Sequence, residues 1–127
     1  MCQDNSKRIH QKSVKCYRVY SNSWSYDKDK FTSYFYDQLM PEIGVPTKAS
    51  FKPFHGYRHK KDVKAFFRGI SRDESIVFEC VLTGKLQSGH WSCDIDIKTC
   101  TGNILTLVRK VATYNYTTHK LTWDVTA

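Results

Sequence analysis

VKCYRVYSNSW, residues 14–24, decides how the rest of the chain is read. Val14, Tyr17, Tyr20 and Trp24 recur at about helical spacing, Cys16 and Val19 widen the stripe, and Ser13 is placed to cap it, so the spacing predicts a first helix. Asp27 or Asp29 then caps a second helix carrying Phe31, Tyr34, Phe35 and Leu39, and Pro41 stops it because proline has no N–H to donate. Trp24, at the corner between the two, is expected to be a buried anchor.

Downstream, MPEIGVPTKASFKPFHGY is punctuated by Pro41, Gly44, Pro46, Pro53 and Gly56 and reads as loop with a short extended piece from Ala49 to Phe54. A third helix follows from Lys60 to Ile70, with Val63, Phe66, Phe67 and Ile70 inward and Lys61, Asp62, Lys64 and Arg68 outward. From Glu74 the period becomes two. Ile76, Phe78, Cys80 and Leu82 share one side of a strand. After a turn at Gln87 to Gly89, HWSCDIDIK sets Trp91, Cys93, Ile95 and Ile97 against His90, Ser92, Asp94, Asp96 and Lys98. Two further strands, Ile104 to Tyr116 and Leu121 to Val125, complete an antiparallel sheet joined by hairpins.

At 127 residues the chain has the size of one domain, taken as 13–127 after a polar, basic, flexible arm at 1–12. Lys and Arg outnumber Asp and Glu 20 to 12, a net charge of +8, and the excess gathers around Lys7 to Arg18 and Lys52 to Lys64. Such a balance favours polyanionic partners. The odd count of 5 cysteines and the polar residues after Met1 point to a reducing interior, cytoplasmic or nuclear, and no apolar run reaches membrane-spanning length.

The segments Y20SNSW24SYDKDKF31 and ASFKPFHGYRHKKDVKAFFRGI (49–70) bring in a resemblance. With the expected element order, they resemble the nuclear transport factor 2-like superfamily, including its polyketide cyclase SnoaL-like branch. The resemblance implies an α+β cone fold: three N-terminal helices on a strongly curved antiparallel sheet of roughly four to six strands, a shape that hosts unrelated functions. It also implies a homodimer through the sheet and a pocket at the wide end for a small apolar ligand or a protein partner. The pocket would draw on Tyr20, Trp24, Phe54 and Trp91, with no cofactor.

Catalysis in such a pocket needs a carboxylate or His desolvated toward neutrality. The candidates are Asp124, on the terminal strand where some members place an acid, and His55, with Asp94, Asp96 and His90 behind them. An isomerase or cyclase is the enzyme reading. Nucleic-acid binding is the other alternative: in FKPFHGYRHKK, Phe51, Phe54 and Tyr57 interleave with Lys52, His55, Arg58, His59, Lys60 and Lys61, and Lys64 follows on the helix. The start of that helix at Lys60 also suits an anion. No metal is expected, because Cys93, Cys100, His90 and His119 lack the close ligand pairs of structural zinc.

Overall fold

A computed structural model describes residues 3–21, 32–33, 40–50, 52–69, 74–91 and 94–124. Along the chain they form strands β1 (Gln3–Arg8), β2 (Ser13–Ser21), β3 (Thr32–Ser33), β4 (Thr47–Lys48) and β5 (Phe54–Tyr57), then helix α1 (Lys60–Gly69). Strands β6 (Ser75–Thr83), β7 (Gln87–Trp91), β8 (Asp94–Gly102), β9 (Ile104–Asn115) and β10 (Lys120–Trp123) follow. They pair in the order β1-β7-β8-β5-β2-β6-β9-β10, with β3 on β2 and β4 on β9. Each pairing is antiparallel.

The expected α+β cone of three helices on a sheet is therefore corrected: the described chain is nearly all β with a single helix, and the resemblance to the nuclear transport factor 2-like and SnoaL-like proteins fails with it. Residues 13–21, read as the first helix, are the central strand β2. The physical reason is that β2 is buried on both faces. Tyr17 and Val19 point into one core while Val14, Cys16 and Tyr20 point into another. A two-sided apolar strand has no polar face to set a period of two, and its Val, Tyr and Cys then also satisfy a helical stripe. Trp24 and most of the expected second helix lie outside the described residues; within it, Thr32 and Ser33 pair with β2 as β3. Residues Gln3–Arg8, read as an arm, form β1 against β7, and Gln87 to Gly89, read as a turn, belong to β7.

The helix expected over Lys60 to Ile70 spans Lys60–Gly69. Its Val63, Phe66 and Phe67 pack on Tyr57, Trp91, Ile97, Val111 and Tyr114, so one core lies between α1 and the sheet. The second core, on the other side of β2, joins Val14, Cys16, Tyr20, Phe54, Phe78, Cys80, Leu82 and Leu107, with Ile9, Met40 and Ala49 against it. Close packing there fixes one glycine. A Cβ on Gly56 would stand 2.5 Å from Cys16 Sγ and 2.9 Å from Cys16 Cβ.

The long strand β9 carries two irregularities against β6. Its partners run Leu107 to Cys80, Arg109 to Glu79, Lys110 to Phe78 and Ala112 to Val77. Val108 and Val111 are thus the extra residues of two bulges. The second turns Val111 into the core under α1.

Candidate anion-binding face

Helix α1 begins with a cap that the sequence reading misplaced. Asp62, expected outward, is 1% exposed. One carboxylate oxygen accepts the His59 N–H at 2.9 Å, and the other accepts the Lys98 N–H from β8 at 2.9 Å. The first is the reciprocal half of a capping box; the second ties the helix start to the sheet. Three residues after His59 is the spacing at which such a cap is legible, and that was the available signal. With Asp62 locked underneath, Lys61, Lys64 and Arg68 stand exposed along the outer side of α1.

Two hollows flank this basic stripe. The first, about 350 Å³, is lined by Gln11, by Ser13, Val14, Lys15 and Tyr17 of β2, and by Arg58, His59 and Lys60 at the entry to α1. The second, about 450 Å³, is lined by Lys64, Phe67, Arg68, Tyr114, His119 and Leu121. Phe67 and Tyr114 are stacked at 4.4 Å, and Tyr114 Oη lies 3.4 Å from His119 Nδ1. Tyr116, 43% exposed, meets His119 edge-on at 5.6 Å.

The polar accounts of the first hollow do not close. Arg58 Nη1 and Trp123 Nε1 are both buried, and neither has a hydrogen-bond partner among the described residues. Trp123 adjoins the hollow through two lining residues, Tyr17 edge-on at 5.9 Å and Lys60, whose ammonium sits 5.1 Å from the indole centroid. Both orphan atoms are N–H donors. A buried donor without an acceptor costs about 1–3 kcal/mol, so the fold holds two donors beside one cationic hollow at its own expense. The nearby carboxylate is already engaged: Glu79 bridges Lys15 at 2.9 Å and Arg109 at 3.0 Å, and these contacts, Lys15 foremost, hold it below the usual carboxylate range.

The residues expected to build an apolar pocket are placed as follows. Tyr20 and Phe54 lie in the second core and Trp91 in the first, while Trp24 lies outside the described residues. Tyr20 and Phe54 instead hold a cation. Arg18, 6% exposed, donates from Nε to Tyr20 Oη at 2.8 Å and from Nη1 to the His55 carbonyl oxygen. Its guanidinium sits 5.4 Å from the Tyr20 ring centroid and 5.3 Å from that of Phe54.

His55 and Asp124 are not brought together as an acid–base pair. His55 is on β5, Asp124 follows β10, and β2, β6 and β9 lie between those strands. Burial, helped by the nearby charges of Arg18 and Lys52, lowers His55 to about 4, so it is neutral at physiological pH. Asp124 is exposed, and its N–H donates to the Val111 carbonyl at 2.8 Å. Asp94 stands opposite Trp91 in the β7–β8 register, and Asp96 is exposed. His90 Nδ1 lies 2.9 Å from the Trp91 carbonyl oxygen. Of the expected basic set, Arg58 and Lys60 share the first hollow, Lys64 reaches the second, Lys61 lies on the helix between them, and Lys52 is exposed ahead of β5. His59, from the same run, and Arg68, from the outward side of the same helix, belong to the face as well, while Lys15 and His119 were missed as part of it, because they come from parts of the chain that only the fold unites. Among the described residues no helix is long and apolar enough to cross a membrane. No family model, curated protein or solved structure matches the chain.

Proposed function

We propose that this domain binds nucleic acid through the face formed by α1, the β5–α1 turn and the start of β2. The observation that carries the reading is convergence: Lys15 on β2 and Arg58, His59 and Lys60 on a distant segment line one hollow, and Lys61, Lys64 and Arg68 continue the positive charge along α1 to the second. Phosphate neutralisation supplies most of the sequence-independent affinity of such surfaces. Tyr116 beside His119 offers an exposed ring for a base to stack on, as single-strand binders use.

Charge reversal tests the reading without touching either core. Lys64→Glu combined with Arg68→Glu should weaken binding of a fluorescent single-stranded oligonucleotide at least about tenfold at low salt, since each lost phosphate contact removes a counterion-release contribution. Unchanged anisotropy curves for the folded double variant would reject it.

A further inference from the structure

The first hollow is more than a stretch of positive surface, and we infer that it is a pocket for a phosphomonoester, the terminal phosphate of a nucleic-acid strand or of a mononucleotide. This rests on the nucleic-acid reading for its ligand class and adds a specificity which that reading does not require. Three observations lead to it.

First, among the described residues the charged side chains that line the hollow, Lys15, Arg58 and Lys60, are all cationic, and Gln11, Ser13, Val14, Tyr17 and His59 make up the rest of the wall. Second, Arg58, which lines the hollow, holds a buried Nη1 donor with no partner among the described residues, and so does Trp123 Nε1 behind the lining residues Tyr17 and Lys60; what both lack is an acceptor. Third, Asp62 already occupies the inner side of the helix start through the His59 and Lys98 N–H groups. An incoming anion must therefore be met by side chains, from β2 on one side and from the β5–α1 turn on the other.

The chemistry of the donor set selects an end group. A phosphodiester within a strand carries one charge and two bare oxygens, whereas a phosphomonoester carries about −1.5 to −2 and presents three acceptor oxygens. Three cationic side chains from two sides, Lys15 on one and Arg58 and Lys60 on the other, suit the second. The volume of about 350 Å³ lies at the small end of the ligand-pocket range of roughly 300–1,000 Å³, enough for a phosphate with its sugar.

The test compares one oligonucleotide sequence bearing a 5′-phosphate, a 3′-phosphate or hydroxyls at both ends, each titrated against the full chain at fixed salt. One phosphorylated end should bind about tenfold more tightly than the hydroxyl form. Arg58→Gln and, separately, Lys60→Gln should bring that ratio to one, with thermal melting verifying that each variant is folded. Adenosine monophosphate and inorganic phosphate should each shift the Trp123 indole N–H resonance, assigned with Trp123→Phe, and adenosine monophosphate should compete with the phosphorylated end. Equal affinity for all three oligonucleotides, with salt-sensitive binding intact, overturns the pocket and leaves the face reading standing. Absence of any oligonucleotide binding, with the indole shift still produced by adenosine monophosphate, overturns the face reading and retains the pocket as a mononucleotide site. A phosphoserine peptide gaining as much over its unmodified twin as the oligonucleotide does would overturn the nucleic-acid assignment.

Discussion

Arg18 and Arg58 are two partly or fully buried cations in one small sheet, and they are treated in opposite ways. Arg18 sits in the second core with a hydroxyl, a carbonyl and two aromatic rings around its guanidinium, and among the described residues no carboxylate neutralises it. Its charge is spread over dipoles and ring faces that the fold supplies. Arg58 Nη1 is buried with no acceptor among the described residues, and Arg58 lines a hollow together with Lys15 and Lys60. The first arginine is completed by the fold. The second is left for something else to complete. That contrast is the ground for reading the Arg58 surroundings as a site and the Arg18 surroundings as structure.

Substitutions break the comparison most directly. Arg18→Ala should cost about 3 kcal/mol, in the range for emptying a core position, because it opens a cavity between Tyr20 and Phe54 and removes the hydrogen bonds to Tyr20 Oη and the His55 carbonyl. Arg18→Met keeps the volume and should cost less, as replacement of buried charge by packed apolar atoms often does. Urea denaturation measures both, and a loss below about 0.5 kcal/mol for Arg18→Ala, ordinary for a surface site, would remove the structural role. Next in size is Gly56→Ala, whose new methyl group meets Cys16 at 2.5 Å. Overpacking of this kind costs about 1–3 kcal/mol, and adding Cys16→Ala should recover the part due to Sγ while the Cβ contact at 2.9 Å remains; no recovery in the double variant would place the strain elsewhere.

Acid should expose the Arg18 region selectively. His55 is neutral in the fold down to about 4 but titrates near 6.5 in an unfolded chain, so between these values only the unfolded state takes up the proton. Its contribution to stability is complete above about pH 6.5 and is lost as the pH falls toward 4. Thermal midpoints across that window should fall for the native chain and fall less for His55→Gln; parallel slopes would contradict the burial of this imidazole. The smallest effect belongs to Arg58→Met. Removing a buried unpartnered donor should leave the fold no less stable and raise its stability by about 1 kcal/mol, and a loss as large as that of Arg18→Ala would show that Arg58 serves the fold.

What the sequence made legible follows from how each element is exposed. Helix α1 was readable because it has one apolar side, Val63, Phe66 and Phe67, and one basic side. Strands β6 and β9 were readable where Phe78, Cys80 and Leu82, or Leu105 and Leu107, alternate with wetter neighbours. Strand β2 was not, since Cys16, Tyr17, Arg18, Val19 and Tyr20 are all buried and such a run carries no phase. Reading β2 as a helix then drew the element order toward a cone, and its Tyr20 toward a ligand pocket. Of the site, Arg58, Lys60, Lys61 and Lys64 were visible as a local cluster. Lys15 and His119 joined them only through strand pairing, and the buried cap by Asp62 was hidden behind the charge that usually marks a solvent side.

The central claim, that the α1 face neutralises phosphates, is tested most directly by the salt dependence of oligonucleotide binding to the full chain. If about four to five phosphates are engaged on a single strand, a plot of log association constant against log salt should fall with a slope of about −3, at roughly −0.7 for each phosphate. Lys64→Glu with Arg68→Glu should make that slope shallower by about one unit or more. A slope indistinguishable from zero, or one that the double variant leaves unchanged, would contradict the account.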